Sequence, residues 1–134
     1  MLVLDASAVI EVLFRTKVGT KVAEVIFEPK INLVAPELLP VETIQVIRRY
    51  IYSKELSIPR ASVAFKDLQD LPIAYYSYQI LMNRIWELKN NFSAYDATYI
   101  ALAECLESPL LTCDSAFQKG SGRLHKAKIV VLKS

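Results

Sequence analysis

Residues 1–10 read MLVLDASAVI, and they predict a buried strand that ends at a carboxylate. The apolar run at 2–4 has the length of a strand in a buried sheet, and the segment ASAVIEVLF at 6–14 has helical periodicity. Asp5 therefore stands where a core strand meets a helix. A carboxylate at such a junction serves either as a helix cap or as part of a site, and the positions of the other acids bear on that choice.

Strand-like and helix-like segments alternate along the rest of the chain. Further strands are predicted at INLVA (31–35), LPIAYYS (71–77), SPLLTCD (108–114) and KIVVLK (128–133). Further helices are predicted at 19–27, 38–52, 59–71, 78–91 and 93–106. One or two helices between successive strands favour an α/β fold with a mainly parallel sheet of about five strands, covered by helices on both faces.

Length and composition favour one globular domain over residues 1–134. Apolar residues make up 53% of the chain, and the formal net charge of +2 is too small to identify a partner. No apolar run reaches the roughly 18 residues of a membrane span, and the first ten residues lack the basic start of a signal peptide. We therefore expect a soluble, cytoplasmic protein without membrane contact.

Residue types that are scarce in this chain exclude several kinds of site. Two cysteines are too few for a disulfide scaffold, so Cys105 and Cys113 are expected to be small buried residues in a reducing compartment. The single histidine, His125, excludes a histidine-rich metal site. With only three glycines, the chain lacks the G-x-G-x-x-G and P-loop motifs of common nucleotide-binding proteins.

Four acids lie where predicted strands end or predicted helices begin. Asp5 and Asp114 follow apolar strands, Asp96 lies in the first turn of an alanine-rich helix, and Glu42 lies in the opening turns of the helix at 38–52. Taken singly, each acid is explained as a helix cap, and Ser93 with Asp96 even forms an S-x-x-D capping box. Taken together, they fall at the carboxyl edge of a parallel sheet, where α/β proteins bind ligands.

Electrostatics favours a cation if these acids converge. Two unit charges 4 Å apart repel by about 4 kcal/mol at an effective dielectric constant near 20, whereas a cap contributes only about 1 kcal/mol. Carboxylates without histidine or thiolate partners suit Mg²⁺ or Mn²⁺, and such ions serve phosphate chemistry. The spacing does not distinguish one ion from two.

Four segments in register resemble the PIN-domain ribonucleases, and within them the VapC-type toxins of prokaryotic toxin–antitoxin pairs. They are VLDASAVIEVL at 3–13, APELLPVETIQVIRR at 35–49, SAYDATYIALAE at 93–104 and PLLTCDSAF at 109–117. The resemblance implies a three-layer α/β/α sandwich and endonucleolytic cleavage of RNA that leaves a 5′-phosphate and a 3′-hydroxyl. It also implies a homodimer and a small antitoxin that blocks the acidic crevice with a basic side chain.

The resemblance also assigns roles to individual residues. Asp5, Glu42, Asp96 and Asp114 match the acidic quartet that binds Mg²⁺ or Mn²⁺ in the family. Within the quartet we expect Asp5, Asp96 and Asp114 to be the main metal-facing carboxylates, and Glu42 to complete the charge or orient a metal-bound water. Two polar positions that support the carboxylates are matched by Ser7 and Thr112.

Basic and aromatic residues are candidates for contact with RNA. Rim candidates for the RNA backbone are Arg48, Arg49, Lys119 and Arg123, each of which is equally explained as a solubilising charge. An aromatic cluster in the middle segment suits base stacking, or more commonly a core or an interface, and consists of Tyr75, Tyr76, Tyr78 and Trp86.

Three other classes of protein remain as alternatives. A receiver-like phosphoacceptor module needs paired acids after the first strand, but Asp5 is followed by Ala6. A haloacid-dehalogenase-like phosphatase needs a second aspartate at the position of Ser7. A PIN nuclease of RNA processing, without an antitoxin, keeps the fold and the chemistry, and a short gene immediately upstream would favour the toxin instead.

Overall fold

The computed structural model describes residues 1–119 and 125–133, in which short strands alternate with helices. The strands are β1 (Leu2–Leu4), β2 (Leu33–Pro36), β3 (Ile73–Tyr76), β4 (Leu110–Thr112) and β5 (Ile129–Val131). The helices are α1 (Ala6–Leu13), α2 (Lys17–Ile26), α3 (Leu38–Tyr52), α4 (Ile58–Asp70), α5 (Met82–Glu87), α6 (Ala94–Cys105) and α7 (Ala116–Lys119). A 3₁₀ turn at Gln79–Leu81 leads into α5.

All five strands pair in parallel, in the order β3-β2-β1-β4-β5. The chain moves from β1 outward through β2 to β3, and then returns to place β4 on the opposite side of β1. The strand order therefore reverses between β1 and β4, whose registers align Val3 with Leu110 and Leu4 with Leu111. The α/β sandwich predicted from the alternating segments is confirmed, and its topological switch point lies directly beyond β1 and β4.

Helix α6 is the most deeply buried helix next to the sheet. Every residue from 97 to 103 is buried, and the helix contacts β1, β2 and β4. Three of these buried residues are alanines, whose small side chains suit a helix packed directly on a sheet. This packing fixes the start of α6, with Asp96 in its first turn, against the central strands.

Helices α1 and α2 pack against each other with an unusually close backbone contact. A side chain at Gly19 would place its Cβ 2.0 Å from the Glu11 carbonyl oxygen, so only glycine fits there. Helix α2 begins at Lys17, two residues before the predicted start, because the Thr16 hydroxyl caps it by accepting a hydrogen bond from the Gly19 amide. The last turn of α1 and the first turn of α2 are thereby held in direct backbone contact.

Two expectations about the middle and the end of the chain need correction. The helix predicted at 78–91 is divided into the 3₁₀ turn and the six-residue α5. Cys105 is exposed and Cys113 is half-buried, so neither is the small buried residue that was expected. Within the described residues, no helix has the length and apolarity that a membrane crossing requires.

Candidate active site

The strand order explains why acidic residues lie at the switch point. Asp5 is the residue immediately after β1, and Asp114 lies two residues after β4, so the reversal of strand order falls between them. Asp96 lies in the first turn of α6, and Glu42 lies in the second turn of α3. We call Asp5, Glu42, Asp96 and Asp114 the carboxylate edge.

Asp5 is the buried anchor of this edge. Its Oδ1 accepts hydrogen bonds from the Ala8 amide (3.0 Å) and the Ser7 hydroxyl (2.8 Å), and its Oδ2 accepts one from the Thr112 hydroxyl (2.6 Å). The cap on α1 predicted for Asp5 is therefore present. Ser7 and Thr112 are the two polar residues that contact the Asp5 carboxylate across the switch point.

The same two hydroxyls fix the chain as it leaves β4. Ser7 Oγ accepts a hydrogen bond from the Cys113 amide at 3.0 Å, and Thr112 Oγ1 accepts one from the Asp114 amide at 2.9 Å. Asp114 Oδ1 in turn accepts a hydrogen bond from the Ala116 amide at 2.9 Å. The positions of Asp5 and Asp114 are thus linked through one hydrogen-bonded network.

Burial makes the charge of Asp5 costly. Only 4% of the residue is exposed, and the loss of solvation raises the pKa of its carboxyl group from 3.8 to about 6, although the hydrogen bonds from Thr112, Ala8 and Ser7 oppose that shift. The negative charge of Asp114 raises the pKa further. A carboxylate kept in this position favours an environment that supplies positive charge.

Glu42 and Asp96 continue the carboxylate edge and interact with one another. Burial raises the pKa of Glu42, the hydrogen bond from Tyr99 lowers it, and the charge of Asp96 raises it. The pKa of Asp96 is raised first by burial and then by the charge of Asp114. The charges of Asp114 and Asp96 thus link the four acids, which are distant in sequence.

No basic side chain neutralises this environment within the described residues. The ion pairs there join Arg15 to Asp67, Lys66 to Asp70, and Arg84 to both Glu87 and Glu104, and none includes a member of the carboxylate edge. Among the hydrogen bonds of residues 1–119 and 125–133, none is accepted by the Asp96 carboxylate, whereas its amide donates to Ser93 Oγ at 3.1 Å. The described part of the chain therefore supplies no basic partner for the negative charge of the edge.

The carboxylate oxygens of the edge are suitable ligands for a hard divalent cation, but the side chains do not form a complete coordination site. Across residues 1–119 and 125–133, no three His, Cys, Asp or Glu side chains stand close enough to hold one ion together. The Asp5 oxygens face hydroxyl and amide donors, and Glu42 Oε1 faces Tyr99. Carboxylate oxygens alone remain as ligands, and these are the ligands that Mg²⁺ and Mn²⁺ prefer.

Cys113 lies inside this region without joining its chemistry. Burial, followed by the charges of Asp5 and Glu11, raises the pKa of its thiol to about 11. The thiol therefore stays protonated at neutral pH, and a protonated thiol is neither a strong nucleophile nor a metal ligand.

Tyr99 is a member of the site that the sequence interpretation missed. It is only 2% exposed, and its hydroxyl donates to Glu42 Oε1 at 2.6 Å and accepts a hydrogen bond from the Ala6 amide. Burial and the neighbouring carboxylate of Glu42 raise the pKa of the phenol well above its usual value, so it remains a neutral donor. The available signal was its spacing, because residues three apart on a helix share a face and Tyr99 follows Asp96 by three.

The predicted RNA-rim residues occupy different surroundings. Arg49 follows Glu42 by seven residues, which places both on one face of α3 about 10 Å apart along the axis. Arg48 instead lies with its guanidinium 4.7 Å from the centre of the Tyr52 ring. The Lys119 side chain and Arg123 lie outside the described residues.

The aromatic cluster predicted in the middle segment is mostly at the surface. Tyr75, Tyr78 and Trp86 are exposed, and Tyr76 is half-buried on β3.

Comparisons with known proteins agree with this architecture. The sequence matches the PIN domain over residues 2–122. It is 32% identical over 129 residues to Ribonuclease VapC12 of Mycobacterium tuberculosis, covering 96% of this chain and 97% of that protein. It is 34% identical over 129 residues to Ribonuclease VapC1 of the same organism, covering 96% of each.

A solved structure shares the fold at low sequence identity. The crystal structure of VapBC2 from Rickettsia felis, bound to a DNA fragment from its promoter, superposes with a TM-score of 0.71 at 9% identity and covers 98% of both chains. At that identity the likeness concerns the fold alone, whereas the sequence matches concern ancestry. The chain therefore belongs to the PIN-domain family and, within it, to the VapC group.

Proposed function

We propose that this protein is a Mg²⁺- or Mn²⁺-dependent endoribonuclease and the toxin of a toxin–antitoxin pair. One observation supports the proposal: four carboxylates lie around the switch point of a parallel sheet, linked by the charges of Asp96 and Asp114, and no ion pair of the described residues includes any of them. The ribonuclease names of the relatives VapC12 and VapC1 support RNA as the substrate.

The residues at the edge divide the work of phosphodiester hydrolysis. Asp5, Asp96 and Asp114 would hold the cation, and Glu42 would complete the negative charge or orient the attacking water. When bound, the ion lowers the pKa of a water molecule and stabilises the charge of an in-line displacement. Ser7 and Thr112 keep Asp5 in place, so that this buried carboxylate does not turn away when RNA phosphates approach.

Regulation by an antitoxin follows from the same uncompensated charge. The VapBC2 neighbour supports a protein partner, and a basic side chain from such a partner would neutralise the carboxylate edge as a metal ion does. As a nuclease that acts on RNA, the protein would work in the cytoplasm. Finding a short gene immediately upstream of this one would support the pairing, and its absence would favour an RNA-processing nuclease without an antitoxin.

A homodimer is supported by an apolar groove between α3 and α4. The groove has a volume of about 230 Å³, and we call its apolar lining the α3–α4 groove: Ile44, Ile47, Ile51, Ile58, Ala61 and Phe65. Ile58 is 69% exposed, and Ile44 and Phe65 are each 43% exposed. A second copy of the chain would remove this apolar surface from water.

The decisive experiment is RNA cleavage by the purified protein with and without metal. We expect end-labelled RNA to be cut in Mn²⁺, left intact after treatment with EDTA, and cut again when Mn²⁺ is restored. The products should carry 5′-phosphates, which a 5′-phosphate-dependent exonuclease detects. Cleavage that persists in EDTA would contradict the proposal.

A further inference from the structure

The only tryptophan of the chain lies at the surface with a cation over its ring. Trp86 in α5 is 69% exposed, and Lys89 Nζ lies 4.5 Å from the centre of the indole ring. Large aromatic rings are usually buried, because their burial contributes much of the stability of a core. An exposed ring beside a lysine has the chemistry of surfaces on which nucleobases stack while a cation meets phosphate.

A cavity next to this pair has the size of a small-ligand site. Its volume is about 620 Å³, within the roughly 300–1,000 Å³ of small-molecule pockets. Ile85 and Phe92 contribute apolar surface, and Asn83 and Ser93 contribute hydrogen-bonding groups. Lys89 is the one charged side chain among its described lining residues. The apolar residues suit a base, the hydrogen-bonding groups suit its polar atoms, and the single positive charge suits a phosphate, so the lining complements a nucleotide.

The cavity reaches the first turn of the helix that bears Asp96. Ser93 lines the cavity, and its Oγ accepts the hydrogen bond from the Asp96 amide at 3.1 Å. Ser93 directly precedes α6 and Asp96 lies in its first turn, so the cavity lies within about one helical turn, or about 5.4 Å of rise, of the residue that bears the edge carboxylate. A base in the cavity and the phosphodiester cut at the edge would therefore lie near the same end of α6.

We infer that Trp86 and Lys89 form a subsite for one unpaired base of single-stranded RNA, next to the phosphodiester that is cut. This inference rests on the proposed nuclease function and adds to it the form of the substrate: a strand whose bases are free to stack. A second cation–aromatic pair, Arg48 with Tyr52, offers a matched comparison because Tyr52 is 73% exposed but lies at the far end of α3 from Glu42.

Tryptophan fluorescence reports on this subsite directly, because Trp86 is the only such residue. The Asp96→Asn variant in Mn²⁺ would be titrated with a short single-stranded RNA pool of mixed sequence, with an abasic oligomer of equal length as control. We expect the RNA to quench the fluorescence and the abasic oligomer to leave it unchanged. In the otherwise unaltered enzyme, Trp86→Leu should raise the KM for RNA by at least about fivefold with little change in kcat, while Tyr52→Leu stays within about twofold.

Other results separate the subsite from the nuclease function. Normal cleavage by the unaltered enzyme, together with unquenched fluorescence or an unchanged KM in Trp86→Leu, would overturn the subsite and leave the nuclease intact. Loss of dimerisation in Trp86→Leu without quenching by RNA would assign the ring to a protein interface and also overturn it. If the unaltered enzyme does not cleave RNA in Mn²⁺, the nuclease proposal itself fails.

Discussion

Helix α3 carries two incomplete surfaces that differ in what they lack. Near its start, Glu42 belongs to the carboxylate edge, where charge is crowded and no basic partner lies nearby in the described residues. Along another face, Ile44, Ile47 and Ile51 border the α3–α4 groove, where apolar surface meets water. The first surface is completed by positive charge and the second by apolar contact.

The difference shows that the two surfaces rest on independent physics. Hydrogen bonds from Ser7 and Thr112 already hold Asp5, and one from Tyr99 holds Glu42, so the missing contribution at the edge is electrostatic and depends on pH and on metal. The groove contains few polar groups, so its missing contribution scales with buried area and is nearly independent of pH. A change at one surface should therefore leave the other unaltered.

The largest expected effect is the loss of activity when one edge carboxylate is neutralised. Asp96→Asn keeps the shape of the side chain but removes a charge that the reaction uses, so RNA cleavage should fall by at least about 10²–10³-fold. Initial rates on end-labelled RNA in saturating Mn²⁺ measure this fall. The α3–α4 groove and the dimer should be unchanged in sedimentation.

The matched control is the same substitution at an aspartate remote from the edge. Asp70 on α4 is exposed and pairs with Lys66, so Asp70→Asn should cleave RNA within about twofold of the unaltered protein. Full activity in Asp96→Asn would show that the acids at the edge are caps only.

The second effect concerns stability in metal-free buffer as pH changes. The pKa of Asp5 is 3.8 in the unfolded chain and about 6 in the fold, so the folded state binds the proton more tightly. Stability should be highest below pH 4 on this account and should fall as pH rises to about 6, by about 3 kcal/mol in total. Urea unfolding at several pH values measures the slope, and Mn²⁺ at neutral pH should restore stability.

Subtracting the same curve for Asp5→Asn isolates this contribution from those of the other acids. The variant should lose the fall between pH 4 and 6, and at neutral pH without metal it should unfold at no lower temperature than the unaltered protein. A large drop in its melting temperature would mean that the charged cap on α1 stabilises the fold more than burial of the charge destabilises it.

A smaller effect is expected from the tyrosine behind Glu42. Tyr99→Phe removes the hydroxyl that donates to Glu42 and leaves the ring in its buried place, so metal affinity should fall by about tenfold. Titration calorimetry with Mn²⁺ measures the affinity, and cleavage should recover when Mn²⁺ is raised. Tyr95→Phe, on the same helix but 63% exposed, should change neither quantity. Equal losses in both variants would remove Tyr99 from the site.

The acids and the sheet could be predicted because their signals lie in single short segments. Each buried strand is a run of apolar residues, and Asp5 and Asp114 follow such runs directly. The alternation of strands and helices predicted a parallel sheet, in which the carboxyl ends of all strands lie at one edge. Four acids that are distant in sequence were therefore predicted to lie near one another. Tyr99 escaped prediction because its apolar neighbours give it the appearance of an ordinary core residue, and only the contact with Glu42 reveals its role.

The groove could not be predicted for a related reason. Ile44, Ile47 and Ile51 recur with helical spacing, which is the pattern of a core-facing stripe, yet Ile47 is buried while Ile44 is 43% exposed. Periodicity indicates which side of a helix is apolar, but not whether another element covers it. The cover depends on where α4 packs, which is a property of the whole fold.

The last prediction tests the independence of the two surfaces from the side of the groove. Ile58→Ser removes the most exposed apolar side chain of the α3–α4 groove, so the dissociation constant of the homodimer should rise by about tenfold. Sedimentation equilibrium over a range of protein concentrations measures it. Mn²⁺ affinity per chain should stay within about twofold.

Ile80→Ser provides the control, because Ile80 is 71% exposed on the 3₁₀ turn and does not line the groove. This substitution should leave dimerisation unchanged. The Ile80 side chain is about as exposed as that of Ile58, but it lies outside the groove and so makes no contact with the second copy. Equal weakening by both substitutions would mean that general surface hydrophobicity drives association. A loss of Mn²⁺ affinity in Ile58→Ser alone would mean that α3 transmits the state of the groove to Glu42, and the two surfaces would then have to be treated as one coupled unit.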